Sequence, residues 1–296
     1  MSRRGAVMFF ALAIVWGIPY FFIKIVVQEA SPAQLVFLRC GMAAIIMLPL
    51  AWRDRSILLA LRKWRWVLAF ASFEFIGPWY LLAAAEQRIT SSLAGLLLAA
   101  VPLFATILGR FLGDHTATQW RRLLGLVVGF AGVGLLVGID GINGSIDYAA
   151  VAMMLLVSMG YAIAPQISAR KLRGVSTVGV IGLSMPMVTA FYAVPAIASW
   201  PAAGISNKAW GSLLFLAVVC TVLAFEIFFR LIALLGPVRA ALVTYLNPVV
   251  AIALGVGVSG DTITRGMLLG FPLVLLGSFV AARPPRPVTQ AALAES

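Results

Sequence analysis

The stretch FEFIGPWY, residues 73–80, sets a glutamate and two aromatic side chains inside an apolar run that extends from 65 to 86. At 1.5 Å per residue, Glu74 stands about 13 Å into that run, near the middle of a bilayer that the run would span. A carboxylate at that depth must be paired, hydrated or protonated, and an intramembrane acid marks a functional site by default. Glu74 could be the partner of a substrate amine or a proton carrier for coupled transport. Its structural alternative is an interhelix hydrogen bond or ion pair, for instance with Arg39. Glu226 precedes Arg230 by four residues, which puts the two on one helical face. That spacing reads as a local ion pair, with direct substrate contact as the alternative. Lys24 and Arg39 lie near the ends of apolar runs, where long basic side chains snorkel to the interface. An outer gate paired to Glu29 or Glu86 is their other reading.

Aromatic and polar candidates surround these charges. Trp16 and Tyr20 are four apart and share a face. With Trp79, Tyr80, Tyr161 and Tyr245, they could stack on an apolar or aromatic solute or enclose an ammonium group. Gln166, beside Pro165, and Asn247, beside Pro248, could hydrogen-bond a polar end of a substrate. Aromatics at bilayer boundaries otherwise form interfacial belts, a role that suits Trp52, Trp64, Trp66, Trp200 and Trp210. Pro102 and Pro248 each withdraw a helical donor, which would leave the carbonyls of Leu98 and Thr244 as ligands or hinge points. A plain kink is the other outcome.

These residues need a frame, and composition supplies one. The chain has 296 residues, 62% hydrophobic and 11% charged. Soluble domains run near half apolar and about a quarter charged, so lipid is the solvent for most of this chain. Runs of roughly 20 apolar residues fall at 5–27, 33–52, 65–86, 91–112, 121–139, 148–169, 176–199, 209–231, 238–258 and 265–282. These are ten expected spans. The first, which begins at the N-terminus, is too long for a signal-peptide core and reads as uncleaved. The tail 284–296 is proline-rich, polar and expected to be disordered.

The net charge of +12 does not indicate nucleic acid, because the basic residues are scattered between apolar runs. With the N-terminus inside, the inner segments hold Arg3, Arg4, Arg53, Arg55, Arg62, Lys63, Arg65, Arg110, Arg121, Arg122, Arg170, Lys171, Arg173, Arg230, Arg239, Arg283 and Arg286. That leaves few basic residues for the outside and sets both termini in the cytoplasm. Cys40 and Cys220 read as small packing residues, and His115 is the one histidine, so no metal site is expected. GVGLLVG (132–138) lacks the lysine of a phosphate-binding loop and reads as a close-packing helix face. No cofactor is expected.

Sliding the chain by 146 residues aligns Ala94 with Ala240, Leu96 with Leu242 and Pro102 with Pro248. Ala105, Leu108 and Gly109 then meet Ala251, Leu254 and Gly255, and after a one-residue slip Gly113-Asp114 meets Gly260-Asp261. The halves, 1–140 and 147–283, each hold five spans. Five is odd, so the second half enters the membrane inverted, the architecture from which many alternating-access transporters are built.

VWGIPYFFIK (15–24), FLRCGMAA (37–44), VPLFATILGRFLGD (101–114) and LGPVRAALVTYLNPVVAIALGVGVSGD (235–261) resemble landmark segments of EamA-type proteins, ten-helix members of the drug/metabolite transporter superfamily. The resemblance implies an all-α integral membrane protein with two inverted five-helix repeats. It also implies a central cavity lined by spans 1, 3, 4, 6, 8 and 9, and efflux of small metabolites, commonly amino acids, across a bacterial inner membrane. The chain departs from the pattern in two places. Both repeat segments end in Gly-Asp rather than Gly-Glu, and Asn247 stands where a glutamate is common. That second change removes a protonatable group from span 9.

The expectation is therefore a secondary transporter, not an enzyme. It would export an amino acid or related compound by proton antiport or facilitated diffusion. Its partners are a small-molecule substrate and the lipid bilayer, and a monomer would contain both halves. An uptake permease is the alternative. An intramembrane enzyme would need clustered catalytic groups, which two separated glutamates do not supply. A structural or sensory membrane protein is the remaining class.

Overall fold

The computed structural model describes residues 3–113, 119–142, 147–202, 204–235 and 242–281. All regular structure among them is helical. Among the described residues eight helices are long and apolar enough to cross a membrane. They are α1 (Arg3–Val26), α2 (Pro32–Arg53), α3 (Trp64–Glu86), α4 (Ser91–Phe111), α5 (Trp120–Ile142), α6 (Tyr148–Lys171), α7 (Thr177–Ala198) and α8 (Asn207–Leu235). Two shorter apolar helices follow, α9 (Val243–Gly257) and α10 (Arg265–Ala281). The start of span 9, Asp114, His115 and the expected tail lie outside the described residues.

Local sequence fixes where these helices begin. Ser31 and Gln34 form a reciprocal capping box at the start of α2. Thr90, Asp147 and Ser206 accept from the backbone N–H three residues on and so start α4, α6 and α8. Inside the helices the irregularities recur with the repeat. A π-helical segment spans Ser72–Ile76 in α3, and another spans Val218–Leu223 in α8. Their starts are 146 residues apart, the same offset that aligns the prolines. The regular halves that begin one residue before the prolines, Val101–Phe111 and Asn247–Gly257, stand at that offset too. A 3-10 turn precedes each, at Leu98–Ala100 and Leu242–Tyr245.

The first of these 3-10 turns corrects the expectation of a freed carbonyl at Leu98. The Leu98 carbonyl accepts the N–H of Val101 in the tightened turn, so Pro102 does not leave it bare. The unusual acceptors are its neighbours. Ser158 Oγ on α6 donates to Leu97 O at 3.2 Å, and Ser278 Oγ on α10 donates to Ala99 O at 2.6 Å. The proline break is thus stitched into two adjacent helices, which satisfies polar backbone that lipid could not.

Helix α2 packs along α7, and α5 along α10. The second pair meets backbone to backbone. A Cβ on Gly132 would come within 2.8 Å of Gly270 O, and one on Gly270 within 2.6 Å of Gly132 O. Of the glycines in GVGLLVG, Gly132 therefore serves close packing, whereas a Cβ on Gly134 or Gly138 would meet nothing within 4 Å.

Candidate functional site

One cluster of polar and aromatic side chains lies deep in the bundle, and Arg39 is at its centre. Arg39 is seven residues into α2, roughly 10 Å along the axis, and only 5% exposed. It does not snorkel, contrary to the sequence expectation. Its Nε donates to Thr221 Oγ1 at 3.1 Å, and its guanidinium lies 3.7 Å from the centre of the Trp79 ring. Thr221 sits in the π segment of α8 and passes its own hydroxyl hydrogen to Leu216 O at 2.9 Å. The electrostatic neighbours of Arg39 are Cys220, Cys40, Tyr161 and Tyr20. Among the described residues no carboxylate forms an ion pair with it.

Glu74 occupies the π segment of α3, the counterpart of the segment that holds Thr221. It is half-buried and has no hydrogen-bond or ion-pair partner among the described residues. Tyr161 neighbours Glu74, Tyr20, Arg39 and Trp79. Of the sequence candidates, Tyr20, Glu74, Trp79 and Tyr161 therefore converge, on α1, α3 and α6. The structural alternative for Glu74, an ion pair with Arg39, does not form among the described residues. An aromatic chain extends this centre: Trp79 meets Phe75 at 4.9 Å, Phe75 meets Phe225 at 6.2 Å, and Phe225 meets Trp16 at 5.9 Å. Trp16 also packs on Phe228 at 4.9 Å, so it joins the edge of the site through apolar contacts.

Several candidates are placed elsewhere. Tyr80 stacks on Tyr192 with rings 5.8 Å apart, and Tyr192 donates to Ile76 O at 2.7 Å. Glu226 makes an exposed ion pair with Arg230 at 2.6 Å, which is the local pairing that the four-residue spacing suggests. Tyr245 donates to Ser278 O at 3.2 Å and packs edge-on to Phe279, so it faces α10. Thr244 is exposed and Pro248 is buried. Pro102 and Leu98 are half-buried at the break in α4. Gln166 is half-buried without a hydrogen bond to a described residue. Asn247 has a buried Oδ1 with no partner among the described residues.

One end of the bundle is knit shut by Lys24, Glu29 and Glu86, the residues of the alternative outer-gate reading, together with Gln34, Ser91, Ser92, Ser206 and Asp261, which the sequence did not single out for this role. Lys24 Nζ donates to the carbonyls of Glu86 and Ile89, so it caps the end of α3 instead of snorkelling. Glu86 is fully buried and accepts from Ser91 Oγ at 3.0 Å, a hydroxyl that also lies 3.0 Å from Tyr20 O. Asp261 Oδ2 accepts from both Ser92 N and Ser92 Oγ. Gln34 donates to Ser199 O at 2.6 Å, and Glu29 accepts from Ser206 N and Oγ. At the opposite end the described cross-links are fewer and exposed, from Lys63 to the carbonyls of Lys171 and Arg173 and from Arg170 to Leu112 O. The signal for the knit end in the sequence is the placing of acids near serines and a lysine at span boundaries, with Glu86, Ser91, Ser92 and Asp261 all at such positions.

A bundle of apolar helices closed over basic, acidic and aromatic side chains defines a multi-pass membrane protein of the solute-transporter class. The chain belongs to the EamA-like transporter family, which matches it twice, over residues 3–138 and 148–283. It is thus a small-molecule transporter of the drug/metabolite transporter superfamily and not an enzyme, and it resides in the inner membrane. It is 27% identical to an Escherichia coli K12 protein called "Uncharacterized inner membrane transporter YedA", over 97% of this chain and 96% of that one. It is 25% identical to a "Probable amino-acid metabolite efflux pump" of Escherichia coli K12, covering 95% of each. The pump of the same description from Salmonella typhimurium LT2 is 24% identical, again over 95% of each. A solved structure titled "Crystal structure of protein" has the same fold, with a TM-score of 0.65, 16% identity, and coverage of 95% of this chain and 97% of that one.

Proposed function

We propose that the chain exports a small organic metabolite, an amino acid or a related compound, by alternating access. In this reading ten spans form two inverted five-helix halves, 1–140 and 147–283, with both termini in the cytoplasm. The carrying observation is the occluded cluster of Tyr20, Arg39, Glu74, Trp79, Tyr161 and Thr221. Two of its members, Glu74 on α3 and Thr221 on α8, sit in π segments at matched positions of the two halves. Two similar but opposed halves around one polar centre can exchange their packings and so expose that centre to either side. The names of two relatives as amino-acid metabolite efflux pumps support the substrate class. The basic residues that cluster between spans support the orientation. On that orientation the knit end faces outward, and the conformation is closed to the outside.

The test is purified protein in liposomes, supplied with a panel of radiolabelled amino acids with and without a pH gradient. Saturable movement above empty liposomes is expected. A broad panel without any such movement overturns the reading. Accumulation only against an imposed proton gradient identifies antiport, and equilibration without accumulation identifies facilitated diffusion.

A further inference from the structure

We propose that Arg39 is the docking point for a carboxylate group on the transported solute. The proposal deepens the transporter reading and rests on it for the solute's entry and exit. Its basis is an imbalance. A guanidinium carries five N–H donors and a permanent charge. Arg39 commits one donor, to Thr221 Oγ1, and rests one face on Trp79. Its two terminal nitrogens have no acceptor among the described residues. A buried charge is ordinarily paired, since removing it from water is expensive. Here the surrounding groups, Cys40, Cys220, Tyr20 and Tyr161, are uncharged thiols and phenols. Among the described residues neither Glu86 nor Glu74 forms an ion pair with Arg39. Glu86 binds Ser91 at the knit end, and Glu74 neighbours Tyr161. The anion that would balance Arg39 is missing from the described part of the protein.

The geometry selects the kind of anion. Trp79 covers the flat face of the guanidinium and Thr221 holds its inner edge, so the remaining edge presents two parallel N–H groups. That fork matches the planar, two-oxygen edge of a carboxylate. Tyr20 and Tyr161 are electrostatic neighbours of the charge and supply phenol donors to the same centre. A purely structural role, tying α2 to α8, needs only the bond that Nε already makes. It leaves the terminal nitrogens unexplained.

The test compares acids with their uncharged counterparts. Full-length protein in detergent is titrated with L-leucine, leucinamide, acetate, acetamide, inorganic phosphate and chloride at constant ionic strength. Melting temperature and tryptophan fluorescence are recorded, the latter because Trp79 underlies the site. Acetate and leucine should raise the melting temperature and shift the fluorescence, whereas acetamide and leucinamide should not. Arg39→Gln should weaken the carboxylate response about tenfold or more, and Arg39→Lys should retain part of it, since a point charge replaces a fork. Equal responses to acid and amide overturn the proposal, as does a response unchanged in Arg39→Gln. No response to any carboxylate overturns it as well. A phosphate response as large as that of acetate makes the site a general oxyanion site and also overturns the carboxylate assignment. Should Arg39→Gln fail to fold, the wild-type acid–amide contrast and the Arg39→Lys variant still decide. Liposome flux separates the two levels. Flux of amides equal to that of acids sinks the Arg39 proposal and leaves the transporter reading intact. Carboxylate binding without any flux does the reverse.

Discussion

The carboxylate of Asp261, just beyond α9, takes both the backbone N–H and the hydroxyl of Ser92 at the start of α4, at 3.0 and 2.8 Å. These bonds join the two halves of the chain at the knit end. Ser92 Oγ and Asp261 Oδ2 also crowd the site where a Cβ on Gly255 would project, so only glycine fits beneath them. Hydrogen bonds to a charged acceptor contribute about 1.5–3 kcal/mol each, enough to shift a two-state equilibrium tenfold or more. Asp261→Ala should therefore favour opening of this end. A cysteine at Ile89, which is buried beside Lys24, reports it. Ile89→Cys should react several-fold faster with an impermeant maleimide when Asp261→Ala is added. An unchanged rate would mean that the pair does not act as a latch.

Glu29 and Asp147 staple the same end at its aqueous rim. Hydrogen bonds from the backbone N–H and hydroxyl of Ser206 hold the Glu29 carboxyl below its ordinary value of 4.5. The N–H of Ala150 holds Asp147 below its ordinary value of 3.8, with Arg88 adding attraction at 3.5 Å. Both shifts are downward, so the stabilisation is full above the ordinary carboxylate values. It is lost as pH falls through the depressed folded-state values. The melting temperature in detergent should thus hold steady from neutral pH to about 5 and fall in stronger acid. Glu29→Gln should flatten part of that acid slope. A slope identical in the variant would remove Glu29 from the account.

Much of this is legible in the chain. Apolar run lengths locate the helices, and the prolines at 102 and 248 expose the 146-residue recurrence that the π segments and the proline-bearing helices share. Glu74, Tyr20, Trp79 and Tyr161 stand out by type, as an intramembrane acid and aromatics on apolar spans. Arg39 does not, because its position near the end of a run suggests snorkelling. Yet a depth of about 10 Å exceeds what an arginine stem comfortably spans, and that arithmetic is the signal in the sequence. Thr221 carries no such signal, since its role depends on a π turn and on an arginine 182 positions away. Tyr245 is a matter of rotation. The 3-10 turn at the start of α9 changes the angle per residue, so regular helical spacing does not reveal that the ring faces α10.

The α5–α10 contact should tolerate no added side chain. A Cβ on Gly277 would overlap the backbone N and Cα of Gly129 and come within 2.6 Å of Gly125 O. Backbone cannot yield as a flexible side chain does, so Gly277→Val should cost about 1–3 kcal/mol or more. A lowered melting temperature and reduced yield of monodisperse protein are expected. Gly134→Val, where a Cβ meets nothing within 4 Å, is the matched control and should be near wild type. Equal stability of the two variants would contradict the close crossing.

Orientation is read by single cysteines in a background with Cys40 and Cys220 replaced by serine. Arg62, at the end of the Ser56–Arg62 helix, is exposed and belongs to the most basic connection. Arg62→Cys should be labelled by an impermeant thiol reagent only after cells are opened, whereas Gln87→Cys, at the knit end, should be labelled in intact cells. Labelling of Arg62→Cys from outside would reverse the proposed topology and with it the side to which the protein is closed.

Glu74 is the ionisable acid of the centre and differs from Arg39 in what it can do. A guanidinium stays protonated, so Arg39 offers a fixed charge. A carboxyl can gain or lose a proton, and Glu74 lacks a fixed hydrogen-bond or ion-pair partner among the described residues. Its π segment, closed by Gly77 N–H bonding back to Ser72 O and followed by Pro78, sets it beside Tyr161, which also neighbours Arg39. A solute held at Arg39 would therefore alter the field at Glu74, and release of one could be tied to protonation of the other. On that coupling, Glu74→Gln should retain solute exchange between loaded liposomes and medium while abolishing accumulation driven by a pH gradient. Arg39→Gln should lose both for carboxylate solutes. Undiminished gradient-driven accumulation in Glu74→Gln would exclude Glu74 as the sole proton carrier and favour facilitated diffusion or a different coupling group.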